Sequence, residues 1–287
     1  MARLRRLAAI VVFLGVPLGL PAAALGIGSS HVAAVQVALR ARHLYEGVDG
    51  ELGKATAKAI VHAQQQAGLV PDGVPGTSTL AFLGPLAGPA LGTRTLAPGA
   101  VGGDVVELQF LLAWHGFPNG TFDGGFGLHT EAALLRFQRW AQLPVTGTAG
   151  SDTVAALHEP VPACPIRLAW PLDVRVGDRF GPRGDSFHPG IDLPAAPGTP
   201  VHAAMVGLVT FAGSTASGYG NLVVVKGADG VATMYAHLSR LLAWRGEKVT
   251  VGTVVGLVGA TGEATGPHLH FEVRVRGAAV DPLPALR

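Results

Sequence analysis

Gly266-Pro267-His268-Leu269-His270-Phe271-Glu272-Val273 decides how the C-terminal half of the chain folds. Polar and apolar residues alternate strictly through it from His268 on, the period of a strand with one buried face. His268, His270 and Glu272 then share one side, while Leu269, Phe271 and Val273 point into a core. Two imidazoles fixed side by side above an apolar layer suit a metal ion better than they suit packing.

Working upstream, Met234-Tyr235-Ala236-His237-Leu238 also alternates, which predicts Tyr235 and His237 on one face and Met234, Ala236 and Leu238 on the other. Phe187-His188-Pro189-Gly190-Ile191-Asp192 sets a histidine and an aspartate four apart. Pro189 drives His188 out of the helical region, and Gly190 permits a sharp turn, so both side chains can curl round one ion. Alone, such a pair is more often a surface hydrogen bond. Ser217-Gly218-Tyr219-Gly220-Asn221 is a glycine-rich turn feeding the strand of Val223, Val224 and Val225. Further strand-like runs, Val231 to His237 and Val249 to Val258, are separated by turn signals such as Asp229-Gly230. Residues 167–287 are therefore predicted to be an all-β, mainly antiparallel domain.

Before it, Glu159-Pro160-Val161-Pro162-Ala163-Cys164-Pro165 reads as an extended, proline-rich linker over 159–166. Still earlier the chain repeats itself. Asp49-Gly50 and Thr56 match Asp123-Gly124 and Thr130 at an offset of 74, which also carries Gln64 onto Gln138, Gly73 onto Gly147 and Thr79 onto Thr153. With one inserted residue Val35-Gln36 corresponds to Leu108-Gln109. Two copies of one small three-helix module are predicted, over 28–88 and 97–158. In the second, Val105, Val106, Leu108, Leu111 and Leu112 recur at helical spacing, Thr130 stands as the N-cap of the next helix, and Ala132, Leu135 and Phe137 form its apolar stripe. At about 60 residues each module can just bury a core of its own.

Arg3, Arg5 and Arg6 precede the apolar run Leu7 to Leu20 and then Ala22-Ala23-Ala24, the pattern of a signal peptide over residues 1–24. An uncleaved anchor is the alternative; either way the body of the protein is expected outside the cytoplasm. The formal charge of +2 includes those three arginines and becomes −1 without them, so no basic patch points to nucleic acid. The single cysteine, Cys164, has no partner for an internal disulfide and is expected to pack as a small apolar residue.

The D-G-x-F-G-x-x-T, F-Q and G-x-x-G-x-x-T pattern of the second repeat resembles the small three-helix peptidoglycan-binding domain found beside cell-wall hydrolases; the first repeat departs from it with Ala63 in place of Phe137. The β half resembles the lysostaphin/LytM family of zinc metalloendopeptidases from about Trp170 to Pro282. The resemblance rests on Arg179-Phe180-Gly181-Pro182-Arg183, H-x-G-I-D, Y-A-H-L-S and T-G-P-H-L-H-F-E occurring in that order. It implies one zinc ion per chain on His188, Asp192 and His270, with His237 and His268 as catalytic histidines. It also implies zinc-activated water as the nucleophile that hydrolyses peptide cross-links or bridges of peptidoglycan. Three protein ligands leave a fourth position open for that water.

Tyr219, Asn221 and Tyr235 are candidates for contact with substrate. Glu272 either orients a ligand from behind or makes a surface salt bridge, and His202 is expected to be structural. The predicted partner is peptidoglycan, as substrate and anchoring surface, with no stable membrane association after leader cleavage and a location in the cell wall or periplasm. The alternative is a catalytically silent LytM-like module that binds the wall and regulates another hydrolase.

Overall fold

Ser29 caps the first helix by accepting a hydrogen bond from the Val32 amide. The computed structural model describes residues 28–287, so the predicted leader lies outside the described residues. The first repeat holds α1 (Ser30–Arg40), α2 (Lys54–Gln66) and α3 (Thr77–Leu83); the second holds α4 (Gly103–Trp114), α5 (Leu128–Trp140) and α6 (Ser151–Leu157). Both modules thus have the three helices predicted, two longer ones followed by a short one.

Four buried glutamines explain the repeat at the atomic level. Gln109 accepts from the consecutive amides of Asp123 (3.1 Å) and Gly124 (3.0 Å), and its amide group donates to the Thr130 hydroxyl at 3.1 Å. Gln36 and Gln138 clamp their own turns in the same way and Gln64 does so through the Gly73 amide alone, each donating to a threonine: Thr56, Thr153 and Thr79. A buried amide must find such partners, so the Gln, the turn and the Thr travel together in sequence. This corrects the expected role of Thr130. The N-cap of α5 is Gly127, and Thr130 lies a turn further in, turned toward Gln109. Of the predicted stripe of α5, Phe137 is buried as expected, whereas Ala132 is exposed and Leu135 only half-buried, their places in the core being taken by Ala133 and Leu134.

The two modules are less independent than their size suggests. Ala33, Ala34 and Val37 of α1 pack with Val106, Phe110 and Ala113 of α4 in one cluster, which also takes in Phe187 of the β half.

The β half has β1 (Gly181–Arg183), β2 (Ser186–His188), β3 (Ile191–Pro194), β4 (Pro200–His202), β5 (Gly207–Thr215) and β6 (Gly220–Lys226). These are followed by β7 (Val231–Ala236), β8 (Arg240–Leu241), β9 (Lys248–Val249), β10 (Val254–Leu257), β11 (His268–Val275) and β12 (Ala278–Val280). The main sheet runs β12-β11-β7-β6-β5-β9, with β3 paired to the free part of β11's edge, and all its pairings are antiparallel. Leu269, Phe271 and Val273 enter the core beneath it with Ile191, Val223, Val225 and Tyr235. The alternation of β11 is therefore realised as expected. Cys164 is half-buried against the same core, with its thiol directed to the Ile166 carbonyl.

Despite the proline-rich connection, the helical half is docked on the β half. The Trp114 ring meets Phe180 and Phe187 edge-on, with centroids 6.1 and 5.3 Å apart. The Phe122 amide donates to Asp185 at 2.7 Å, and the Ala279 amide to Gly116 at 3.1 Å. Gly116 (φ +86°) lies so close that a Cβ there would overlap the Ala279 backbone.

Candidate metal centre and its groove

His188 closes β2, the Pro189-Gly190 turn follows, and Asp192 stands two residues beyond it in β3. Gly190 is required by proximity rather than by an unusual backbone angle, because a Cβ would overlap the carbonyl oxygen of Phe271. The antiparallel register of β3 on β11 sets Asp192 directly opposite His270, so their side chains rise from the same face. Two local motifs 82 residues apart meet at one point.

The geometry of that point is a near-equilateral triangle. His188 Nε2 is 3.1 Å from Asp192 Oδ1 and 3.0 Å from His270 Nδ1, and His270 Nδ1 is 2.9 Å from Asp192 Oδ1. Corners of a tetrahedron around zinc, with bonds of about 2.0–2.2 Å, are separated by about 3.3–3.6 Å, a few tenths of an ångström beyond these edges. The outer ring nitrogens are already engaged. His188 Nδ1 donates to the Arg179 carbonyl at 2.9 Å, and His270 Nε2 donates to Glu272 Oε1 at 3.1 Å. The lone pairs of His188 Nε2, His270 Nδ1 and Asp192 Oδ1 therefore converge without a donor among them, an arrangement that calls for a cation. The same convergence favours a proton on the ring. Burial lowers the affinity of His270 for a proton, but the hydrogen bonds to Asp192 and Glu272 outweigh it and raise its pKa to about 9. Burial likewise raises the Asp192 carboxyl, yet bonds from His188 and His270 hold it well below the usual carboxylate range. Two nitrogens and one carboxylate oxygen, with the far side open, fit a zinc-type ion.

Glu272 is fully buried, which removes the surface salt bridge from consideration. Its Oε1 accepts from His270 and from the Tyr219 hydroxyl (2.6 Å), and its Oε2 accepts from Arg274 Nε at 2.8 Å. Burial pushes this carboxyl up, but the Arg274 cation and the His270 bond bring it down to about 2. The carboxylate thus orients the His270 ring from behind. Arg274 escaped the sequence reading, although one further step of the His268, His270, Glu272 alternation reaches it.

His237 and His268 stand beside the triangle with ring centroids 4.8 Å apart. His237 Nδ1 donates to the Thr261 carbonyl (2.7 Å) and His268 Nδ1 to the Gly266 carbonyl (2.8 Å), so both keep a free Nε2. His268 Nε2 lies 3.6 Å from Asp192 Oδ1. Burial disfavours the charged form of His237 and lowers its pKa.

Strand alternation alone misplaced this residue. β7 ends at Ala236, and His237 takes a left-handed backbone (φ +60°), held by its amide bond to the Tyr219 carbonyl at 2.9 Å. That turn brings its ring over the His270 side, within 5.8 Å of the His270 centroid. Tyr235 stays in the core against Phe271, fully buried, and its hydroxyl accepts from the Ala204 amide at 2.8 Å. It is not available to a substrate, which corrects its candidacy. Asn221 ties its side-chain amide to the Leu238 carbonyl at 2.9 Å and supports the loop. Tyr219 does line the groove.

That groove encloses about 950 Å³ above the three converging side chains. Its walls include Arg183, Tyr219, His237, Glu263 and His268, and also Gly120 from the second helical repeat. His202 lies apart in β4, with Nδ1 bonded to the Gly252 carbonyl at 2.9 Å.

Comparison with known proteins places these features in a family context. Residues 186–282 match the model of peptidase family M23, and residues 28–83 and 101–157 each match that of a peptidoglycan binding domain. The DD-carboxypeptidase/endopeptidase Mpg of Neisseria meningitidis serogroup B is 50% identical over 97 residues, 34% of this chain and 22% of that protein. The murein hydrolase activator NlpD of Salmonella typhimurium is 33% identical over 171 residues, 58% of this chain and 45% of that protein. The chain thus spans less than half the length of either relative. Among solved structures, the catalytic domain of lysostaphin from Staphylococcus simulans is 33% identical, aligned over 39% of this chain and 91% of that one with a TM-score of 0.37.

Proposed function

We propose that this protein, which carries a domain of peptidase family M23 behind two peptidoglycan binding domains, is an extracytoplasmic zinc endopeptidase that hydrolyses peptide cross-links or bridges of peptidoglycan. The reading is carried by one observation: three lone pairs converge at 2.9–3.1 Å, beside two histidines whose Nε2 atoms are free.

His188, Asp192 and His270 would hold the ion. Bound there, zinc supplies Lewis acidity toward a carbonyl oxygen and lowers the pKa of a coordinated water toward about 7. The remaining work belongs to the protein. His237 and His268 accept a proton at Nε2 from the attacking water and return it to the leaving amine. The carbonyls of Thr261 and Gly266 fix the tautomers that make this possible. Glu272, braced by Arg274 and Tyr219, keeps the His270 ring aimed at the ion. The two helical repeats hold the polymer while a peptide threads the groove.

The full chain incubated with purified peptidoglycan is expected to release soluble fragments bearing new amino termini. Stripping divalent metal should abolish the release and zinc should restore it. Undiminished digestion by metal-free protein would remove the proposal. The likeness to a murein hydrolase activator favours a second reading, in which the chain stimulates a separate hydrolase. Stimulation by a protein that itself frees no fragments would establish that reading instead.

Zinc affinity should also depend on pH in a calculable direction. The bonds to Asp192 and Glu272 raise the pKa of His270 to about 9, so at neutral pH zinc has to compete with a second proton on that ring. Affinity should rise by about tenfold per pH unit from 7 toward 9 and level off above it. Competition with a chelating dye across that range measures the slope, and a flat profile would contradict competition with that proton.

A further inference from the structure

A second cavity, of about 530 Å³, opens where α5 faces the end of β11, and it shares no lining residue with the groove above the metal centre. Arg136 and Arg139 reach it from α5, Arg274 and Arg276 from β11 and the turn after it, and no carboxylate lines it. Arg274 is paired with Glu272. The others are not ion-paired among the described residues. Arg136 bonds only the carbonyls of Ala132 and Pro118, at 3.2 and 3.1 Å, and Arg276 lies over the Trp140 ring at 5.2 Å. Three guanidinium groups without an acidic partner thus share the cleft with the Glu272-paired Arg274. Burial and the Arg274 charge both depress the Arg136 guanidinium.

The charge, the planar donors and the size all describe a ligand rather than a packing defect. Arginine forks bind oxyanions in pairs, and cavities of about 300–1,000 Å³ are typical of ligand sites. Arg136 and Arg139 come from one element and Arg276 from the other, with Phe117 and Trp140 among them, while Arg274 is already held by Glu272 and Tyr219. That layout suits separate anionic groups joined by a carbon spacer.

We propose that this cleft binds the free carboxylates of a peptidoglycan stem peptide, holding one strand of the polymer between the second repeat and the peptidase-family domain. The choice of ligand rests on the function proposed above, whereas the anion site itself does not.

The test is calorimetric titration of the full chain with a soluble stem peptide bearing two free carboxylates, in parallel with the same peptide amidated at both. A double variant, Arg139→Gln with Arg276→Asn, removes charge while respecting the exposed helix position of Arg139 and the φ of +51° at Arg276. Expected are roughly tenfold weaker binding by the amidated peptide and by the double variant, with an unchanged melting temperature and unchanged hydrolysis of a neutral soluble peptide. Equal binding in either comparison would overturn the proposal, as would capture of poly(glycerol phosphate) in preference to the stem peptide. Carboxylate-dependent binding by a protein that cleaves nothing would sink only the hydrolase reading; cleavage without such binding would sink only this one.

Discussion

His270→Ala is expected to lose bound zinc and wall hydrolysis together, whereas His268→Ala keeps its zinc and loses turnover by about two to four orders of magnitude. The difference follows from where each ring nitrogen points. His270 Nδ1 is one corner of the triangle with His188 and Asp192, and no neighbouring donor can replace it. With it gone, two protein donors remain where a catalytic site needs three. His268 Nε2 stands 3.6 Å from Asp192 Oδ1, outside the triangle, so its removal leaves all three corners in place. Zinc per chain by metal analysis, read beside fragment release from peptidoglycan, separates the two outcomes. Activity retained by both variants would refute the assigned roles, and zinc lost from both would place His268 among the ligands.

Trp114→Ala should destabilise the protein by roughly 3 kcal/mol, with a visible effect at the metal centre although Trp114 is remote from it in sequence. Its indole is wedged between Phe110 of its own helix and Phe180 and Phe187, the residues flanking and forming the hairpin that ends in His188. Removing it unseats one side of that hairpin, so weaker zinc binding should accompany the lower melting temperature. Thermal denaturation with and without zinc measures both. If the melting temperature falls while zinc affinity is untouched, the hairpin is held by the β half alone. The same packing bears on truncation. A fragment starting at the linker would bare Phe180, Phe187 and Ala278, which the helical repeats cover, and should be prone to aggregate.

The local periodicities were legible in the amino-acid sequence. The alternation from His268 to Val273 predicts which side chains of β11 enter the core, and the 74-residue offset predicts two modules of three helices. The glutamine clamps explain that legibility: a buried amide and the turn it holds are separated by a fixed number of residues, so the contact is written into the spacing.

Contacts that span elements have no such signature in the spacing. Alternation sends His237 to the side of Tyr235, but a single left-handed residue, pinned by the Tyr219 carbonyl in a separate hairpin, turns it toward His270. The burial of Glu272 depends on Tyr219 and Arg274 closing over it. The proline-rich connection reads as an extended linker, and nothing in it shows that Trp114 and Gly116 seat the helical half on the β half. By itself the sequence determined the strand faces, the helix repeats and the two halves of the metal-site motif, because each depends on neighbours at fixed spacing. Only the tertiary structure decided that His188 and His270 meet, that Tyr235 is excluded and that the arginines form a cleft. Those depend on strand register and on packing between elements, which no local period encodes.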